Sequence, residues 1–180
     1  MENKHPTKYQ STYTAHAAFL RKHPAFLRFL LFMNKALTLL FMFAFAAIGA
    51  YGVILQAKEK AFDGWELVVL FGAPLVCLAL VALLRFLFPR RRPYNPKGAG
   101  IVPFLEKKMD EKSFPSRHLA SAFVIATVIC AVSPIAGVVL YMGGLFLGYI
   151  RFALGLHYPT DLIGGGILGF LCGLCAFFIL

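Results

Sequence analysis

IAGVVLYMGGLFLGYIRFALGLHYPTDLIGGGILGFLCGLCAFFIL, residues 135–180, contains two apolar runs separated by a short turn that carries Arg151, His157 and Asp161. Each run approaches the roughly 20 residues that an α-helix needs to cross about 30 Å of hydrocarbon. Ionisable groups at the mouth of a span are costly and are kept for function. Three of them in one turn between two spans therefore suggest both a membrane fold and the location of its chemistry.

Working outward, Leu119 to Ile150 is apolar but too long for one helix. Ser133-Pro134 divides it, because the residue before proline disfavours helix. This gives a third span, Leu119 to Val132, short enough that an extension back through Ser116 is expected, and a fourth, Ile135 to Ile150. Leu162 to Leu180 is the fifth. Earlier in the chain, Ala36 to Leu55 reads as the first span. Leu67 to Leu84 reads as the second, with Pro74 as an expected kink. Pro24 to Met33 mixes Phe and Leu with Arg28, which suits an interfacial helix or the lower part of the first span. Residues 1–23 are polar and basic and read as a poorly ordered tail. The first 15 residues are polar and no small-residue cleavage pattern follows, so no cleavable leader is expected.

The expectation is an all-α integral membrane bundle of about five helices, forming one domain over residues 1–180 with its chemistry within 85–161. Composition agrees. The chain is 59% hydrophobic and 14% charged, against about a quarter charged in soluble domains. The net charge of +10 fits basic flanks and anionic headgroups. The aromatics lie mostly inside apolar runs, so no nucleic-acid partner is expected. Cys77, Cys130, Cys172 and Cys175 sit in apolar runs and read as packing, the CxxC of the last two included. Gly165, Gly169 and Gly173, like Gly144 and Gly148, recur every four residues and should let helix backbones approach closely.

Within residues 113–180 the only ionisable groups of the Asp, Glu, Lys, Arg and His types are Arg117, His118, Arg151, His157 and Asp161. Arg85 and Arg92 flank the exit of the second span, and Ser116, Arg117 and His118 stand at the entry to the third. An even number of crossings separates these groups, so they should face one side of the membrane and be able to converge. Arginine forks suit phosphate oxygens and remain charged. A neutral His157 can attack phosphorus, while Asp161, four residues on, can orient its other nitrogen. Pro159 fits the first turn of the fifth helix, whose N-terminus favours an anion. His118 can protonate the leaving oxygen and then activate water. No Asp/Glu/His cluster has the makeup of a two-metal site, so neither a metal nor another cofactor is expected.

These groups resemble the signature of the type 2 phosphatidic acid phosphatase superfamily. Its Lys-x6-Arg-Pro corresponds to Arg85-FLFPRR-Arg92-Pro93. Its Pro-Ser-Gly-His corresponds to Pro115-Ser116-Arg117-His118, and its Ser-Arg-x5-His-x3-Asp to Ile150-Arg151-FALGL-His157-YPT-Asp161. The resemblance implies a helical bundle and metal-independent hydrolysis of a lipid phosphate. His157 would form a phosphohistidine supported by Asp161, and His118 would be the general acid. Arg85, Arg92 and Arg151 would hold the phosphate, helped by Ser116 and the backbone of Arg117. Arg85 for lysine, Arg117 for glycine and Ile150 for serine depart from the pattern, and they bear on the substrate more than on the reaction. An extra cation at Arg117 would reach a headgroup.

Arg90 and Arg91, with Lys97, Lys107, Lys108 and Lys112, read as an orientation-setting cluster rather than as site residues. The substrate candidates are phosphatidic acid, phosphatidylglycerophosphate and a polyprenyl diphosphate. The rivals are a lipid phosphotransferase, a non-catalytic relative acting as a structural partner, and a lipid carrier. A carrier would show repeat-related segments and midplane charges, and neither is seen here. The segment through Lys35 carries six basic residues and one acidic, and loop 89–116 carries seven and three. Both fall on one face by parity, so the site is expected on the cytoplasmic side of the cell membrane. The sequence does not specify an oligomeric state.

Overall fold

The computed structural model describes residues 7–57, 64–105 and 112–178. Among these residues the chain is all α-helical and has no strand. The helices are α1 (Lys8–Lys22), α2 (Pro24–Ala57), α3 (Gly64–Leu87), α4 (Arg117–Val132), α5 (Pro134–Ala153) and α6 (Pro159–Phe177). Segments of α2, α3, α5 and α6 are long and apolar enough to cross a membrane, and α4 is a shorter apolar helix. The protein is a multi-pass membrane bundle.

One sequence expectation changes. Within the stretch read as a poorly ordered tail, residues 8–22 form α1, a helix with a capping box at its start. The Thr7 hydroxyl accepts from the Gln10 amide, and the Gln10 side chain accepts from the Thr7 amide at 2.6 Å. Its stripe of Tyr13, Ala17 and Leu20 is buried, which is enough to dock a helix whose other faces are polar. Tyr13 and Gln10 donate to the carbonyls of Val102 and Ala99, each at 2.7 Å. Of the two readings of residues 24–33, the structure agrees with the lower part of the first span, since α2 runs unbroken from Pro24 to Ala57. Pro74 lies within α3 and does not end it.

The short helix α4 is the axis of the bundle and packs against α2, α3, α5 and α6. It begins at Arg117 with Ser116 as its N-cap. It ends at Ser133, which also caps α5, its hydroxyl accepting from the Ala136 amide at 3.4 Å. Glycines make the α4–α6 contact close. A Cβ at Gly169 would collide with the backbone of Ala120, one at Gly165 with the backbone of Ser116, and one at Gly173 with the side chain of Thr127. The outer faces are apolar and exposed, as at Phe86, Leu75, Ile135, Met142 and Ile163, which suits hydrocarbon rather than water. The end of α3 and the starts of α4 and α6 share one end of the bundle. Arg85 Nε donates to the Pro115 carbonyl at 3.0 Å and the Ser116 amide to the Asp161 carbonyl at 2.9 Å.

Gly169→Val should overpack the α4–α6 seam at a cost of about 1–3 kcal/mol. The result would be a lower thermal midpoint in detergent. Gly72→Ala, where an added Cβ meets nothing within 4 Å, should leave the midpoint near its original value.

Candidate active site

The turn between α5 and α6 is built to present His157. Gly155 has φ +74°, a left-handed conformation natural only to glycine. A Cβ there would also strike the Tyr13 ring of α1. The Leu156 amide donates to the Arg151 carbonyl at 3.0 Å and closes the turn. Tyr158 is the N-cap of α6, Pro159 opens the helix, and the Tyr158 amide donates to Asp161 Oδ2 at 3.1 Å.

His157 is 1% exposed. Its two nitrogens face different chemistry. Nδ1 lies 3.6 Å from Asp161 Oδ2 and 3.5 Å from Ser113 Oγ. The Ser113 hydroxyl gives its hydrogen to Asp161 Oδ2, so both neighbours of Nδ1 are acceptors. Nε2 lies 3.5 Å from Arg92 Nη1, which can only donate. The favoured tautomer therefore carries its proton on Nδ1 and leaves the Nε2 lone pair toward the arginines. Burial pushes His157 down to about 4. The nearby Arg92 and Arg151 push the same way, while Asp161 opposes them.

Asp161 is fully buried. Beyond the Ser113 and Tyr158 donors on Oδ2, its Oδ1 accepts from Arg90 Nη1 at 2.8 Å. Arg90 also donates to Thr160 Oγ1 at 2.6 Å and lies 4.4 Å above the Tyr158 ring. Arg151 is 4% exposed and its Nε has no hydrogen-bond partner; the buried Ser116 hydroxyl also has none. Buried polar atoms are almost always satisfied. Two orphans on residues at one end of the bundle are what an anion's oxygens would complete.

The structure thus brings Arg92, Arg151, His157 and Asp161 together. Arg85 is buried beside them, and it grips the loop backbone through Pro115 O and, at 3.5 Å, Ser113 O. His118 and the exposed Arg117 line a cavity of about 280 Å³ between α2, α3 and α4 whose other walls include Phe41, Met42, Leu78 and Ile125. Sequence reasoning missed two residues. Ser113 carries no charge and left no signal. Arg90 reads in the sequence as a flanking cation like Arg91, and in the structure it pairs with Asp161. Among the described residues no three His, Cys, Asp or Glu side chains gather as a metal site would require. Lys107 and Lys108 lie outside the described residues.

The sequence model of the PAP2 superfamily matches residues 64–179. The chain is 31% identical over 157 residues to the lipid A 4'-phosphatase of Bacteroides thetaiotaomicron, covering 77% of this chain and 68% of that protein. The crystal structure of Aquifex aeolicus LpxE superposes with a TM-score of 0.52 at 25% identity, covering 83% of this chain and 93% of that one. A PAP2-type phosphatidylglycerolphosphate phosphatase from Bacillus subtilis aligns at a TM-score of 0.45 and 22% identity, covering 95% and 93%.

His157 should stay neutral and Nδ1-protonated in the folded protein until the pH falls toward about 4, and nitrogen-15 spectra of histidine-labelled protein at pH 5.5 would show it. An unfolded histidine protonates near pH 6.5. The native state refuses that proton, so this residue's contribution to stability declines as the pH drops from about 6.5 toward 4.

Proposed function

The chain belongs to the PAP2 superfamily, and from that premise we propose that it hydrolyses a lipid phosphate through a phosphohistidine at His157. The observation that carries this reading is the buried His157, whose Nε2 lies 3.5 Å from Arg92 Nη1 while the Nε of the nearby buried Arg151 has no hydrogen-bond partner.

In the first step the Nε2 lone pair attacks phosphorus. The bond from phosphorus to the leaving oxygen breaks, and that oxygen takes a proton from His118. Arg92 and Arg151, with the Ser116 hydroxyl and the amides at the start of α4, balance the charge on the three phosphoryl oxygens. Asp161 stabilises the imidazolium created when Nε2 is phosphorylated. In the second step His118, now neutral, takes a proton from water as that water attacks phosphorus. The P–N bond breaks, its electrons return to Nε2, and phosphate leaves. Arg85 holds the loop that carries Ser113 and Ser116 and contributes its positive charge from behind. None of these steps uses a metal ion.

Lipid is the substrate class best supported. The cavity beside His118 and Arg117 is walled by apolar side chains of α2, α3 and α4. Met42 and Leu75 in that wall are also exposed on the outer surface, so a hydrocarbon chain can enter from the bilayer while its phosphate reaches the arginines. Phosphatidic acid, phosphatidylglycerophosphate and a polyprenyl diphosphate all have this form, and the relative named for lipid A adds phosphorylated saccharolipids. Basic residues in α1, early α2 and the α3–α4 loop support a site on the cytoplasmic face of the cell membrane.

His157→Ala should abolish phosphate release and acid-labile radiolabelling of the protein while leaving the detergent-solubilised fold intact. Turnover retained in that variant would remove His157 as nucleophile. Wild-type activity on a panel of lipid phosphates should persist in excess EDTA. A cysteine placed at Lys97 should resist a membrane-impermeant thiol reagent added to intact cells, and ready labelling would put the site on the outer face.

A further inference from the structure

Arg90 and Ser113 lie far apart in the chain but are joined by its backbone, with the Ser113 amide donating to the Arg90 carbonyl at 2.8 Å. From this junction their side chains divide the Asp161 carboxylate between them. Arg90 takes Oδ1, and Ser113 takes Oδ2, the oxygen that faces His157. We propose that Arg90 is a positioning residue which, with Ser113, fixes the rotation of the Asp161 carboxylate and draws its charge away from His157. This lowers the affinity of the imidazole for a proton, so that Nε2 stays ready to attack to a lower pH. The inference rests on the reading of His157 as the nucleophile.

The charges around the imidazole allow this role. Asp161 approaches from α6, Arg151 from the end of α5 and Arg92 from the loop after α3. His118 and Arg117 stand at the start of α4, on the wall of the apolar cavity. Asp161 is the one negative group named in this set, and it opposes the effect of burial and of the two arginines on His157. A carboxylate with its full charge that close raises the affinity of the imidazole for a proton, and the protonated ring cannot attack phosphorus. Arg90 offsets that charge from the side away from the ring.

Its own placement is fixed on several sides. One nitrogen donates to both Asp161 and Thr160. The guanidinium lies over Tyr158, whose other neighbour is Tyr9 of α1 at 4.8 Å between ring centres. α1 therefore backs the Tyr158 ring on which Arg90 rests. Because the Arg90 side chain is 42% exposed, it can be exchanged with less disturbance than the buried arginines.

Arg90→Gln retains a donor and removes the charge. The acid limb of kcat/KM on a short-chain soluble phosphate ester, corrected for the ester's own ionisation, should move up by about one pH unit. KM and the inhibition constant for inorganic phosphate should stay within about twofold, since Arg90 does not touch the phosphate. Arg90→Lys should return the limb to its wild-type position. His157 followed by nitrogen-15 titration without substrate should shift the same way, which separates this inference from the reaction itself. If wild-type protein never labels at His157 while the titration still shifts, the phosphohistidine reading fails and the positioning role stands. An unmoved titration overturns the inference. An unmoved limb with phosphate inhibition weakened about tenfold also overturns it, by making Arg90 a phosphate ligand. Should Arg90→Gln fail to fold, Tyr158→Leu removes the ring beneath the guanidinium and should move the titration in the same direction by a smaller amount; no movement there would equally overturn it.

Discussion

The Asp161 carboxylate is the interaction on which the site depends. It is fully buried at the first turn of α6 and accepts from the Tyr158 amide, the Ser113 hydroxyl and the Arg90 guanidinium, with His157 Nδ1 beside it. A buried charge persists only when it is paired and hydrogen-bonded. Satisfying this one requires the two ends of the α3–α4 loop to meet, α6 to begin at Pro159, and His157 to turn inward. The fold at this end of the bundle can be read as the set of donors that one carboxylate demands.

The opposite imbalance lies on the other side of His157. Arg92 and Arg151 are buried near one another, the Arg151 Nε has no hydrogen-bond partner, and Ser116 adds an unsatisfied hydroxyl. Like charges held close together repel. A phosphate that brings negative charge and oxygens relieves both problems together. The same cations depress protonation of His157, so the arrangement that attracts the phosphate also keeps the attacking nitrogen unprotonated.

The bundle serves this end by holding α4 in its centre. Close glycine contacts along α6 let the two backbones approach, which brings Ser116 and Asp161 near enough for the 2.9 Å amide-to-carbonyl bond between them. The face of α4 that carries His118, Ser121 and Ile125 instead lines the apolar cavity toward α2 and α3. The charged end of the bundle and an apolar cavity thus meet at the start of α4, an arrangement suited to a molecule with a charged head and a hydrocarbon tail.

Much of this was legible in the residues alone. Apolar runs interrupted by Pro134 and Pro159 define helices, because hydrocarbon admits few other backbones. Parity then assigns the charged ends to one face, and residue chemistry singles out His157, Asp161, Arg92 and Arg151. Sequence could not choose Arg90 over Arg91, nor notice Ser113, since neighbours in a polar loop look alike until the backbone folds them onto a particular carboxylate. It also undervalued α1, whose three buried residues give a weak apolar signal that only the surface formed by loop 99–102, Gly155 and Phe152 makes sufficient. Local chemistry and period come from the chain itself. Which oxygen each donor reaches comes from contacts between distant segments, and only tertiary structure decides those.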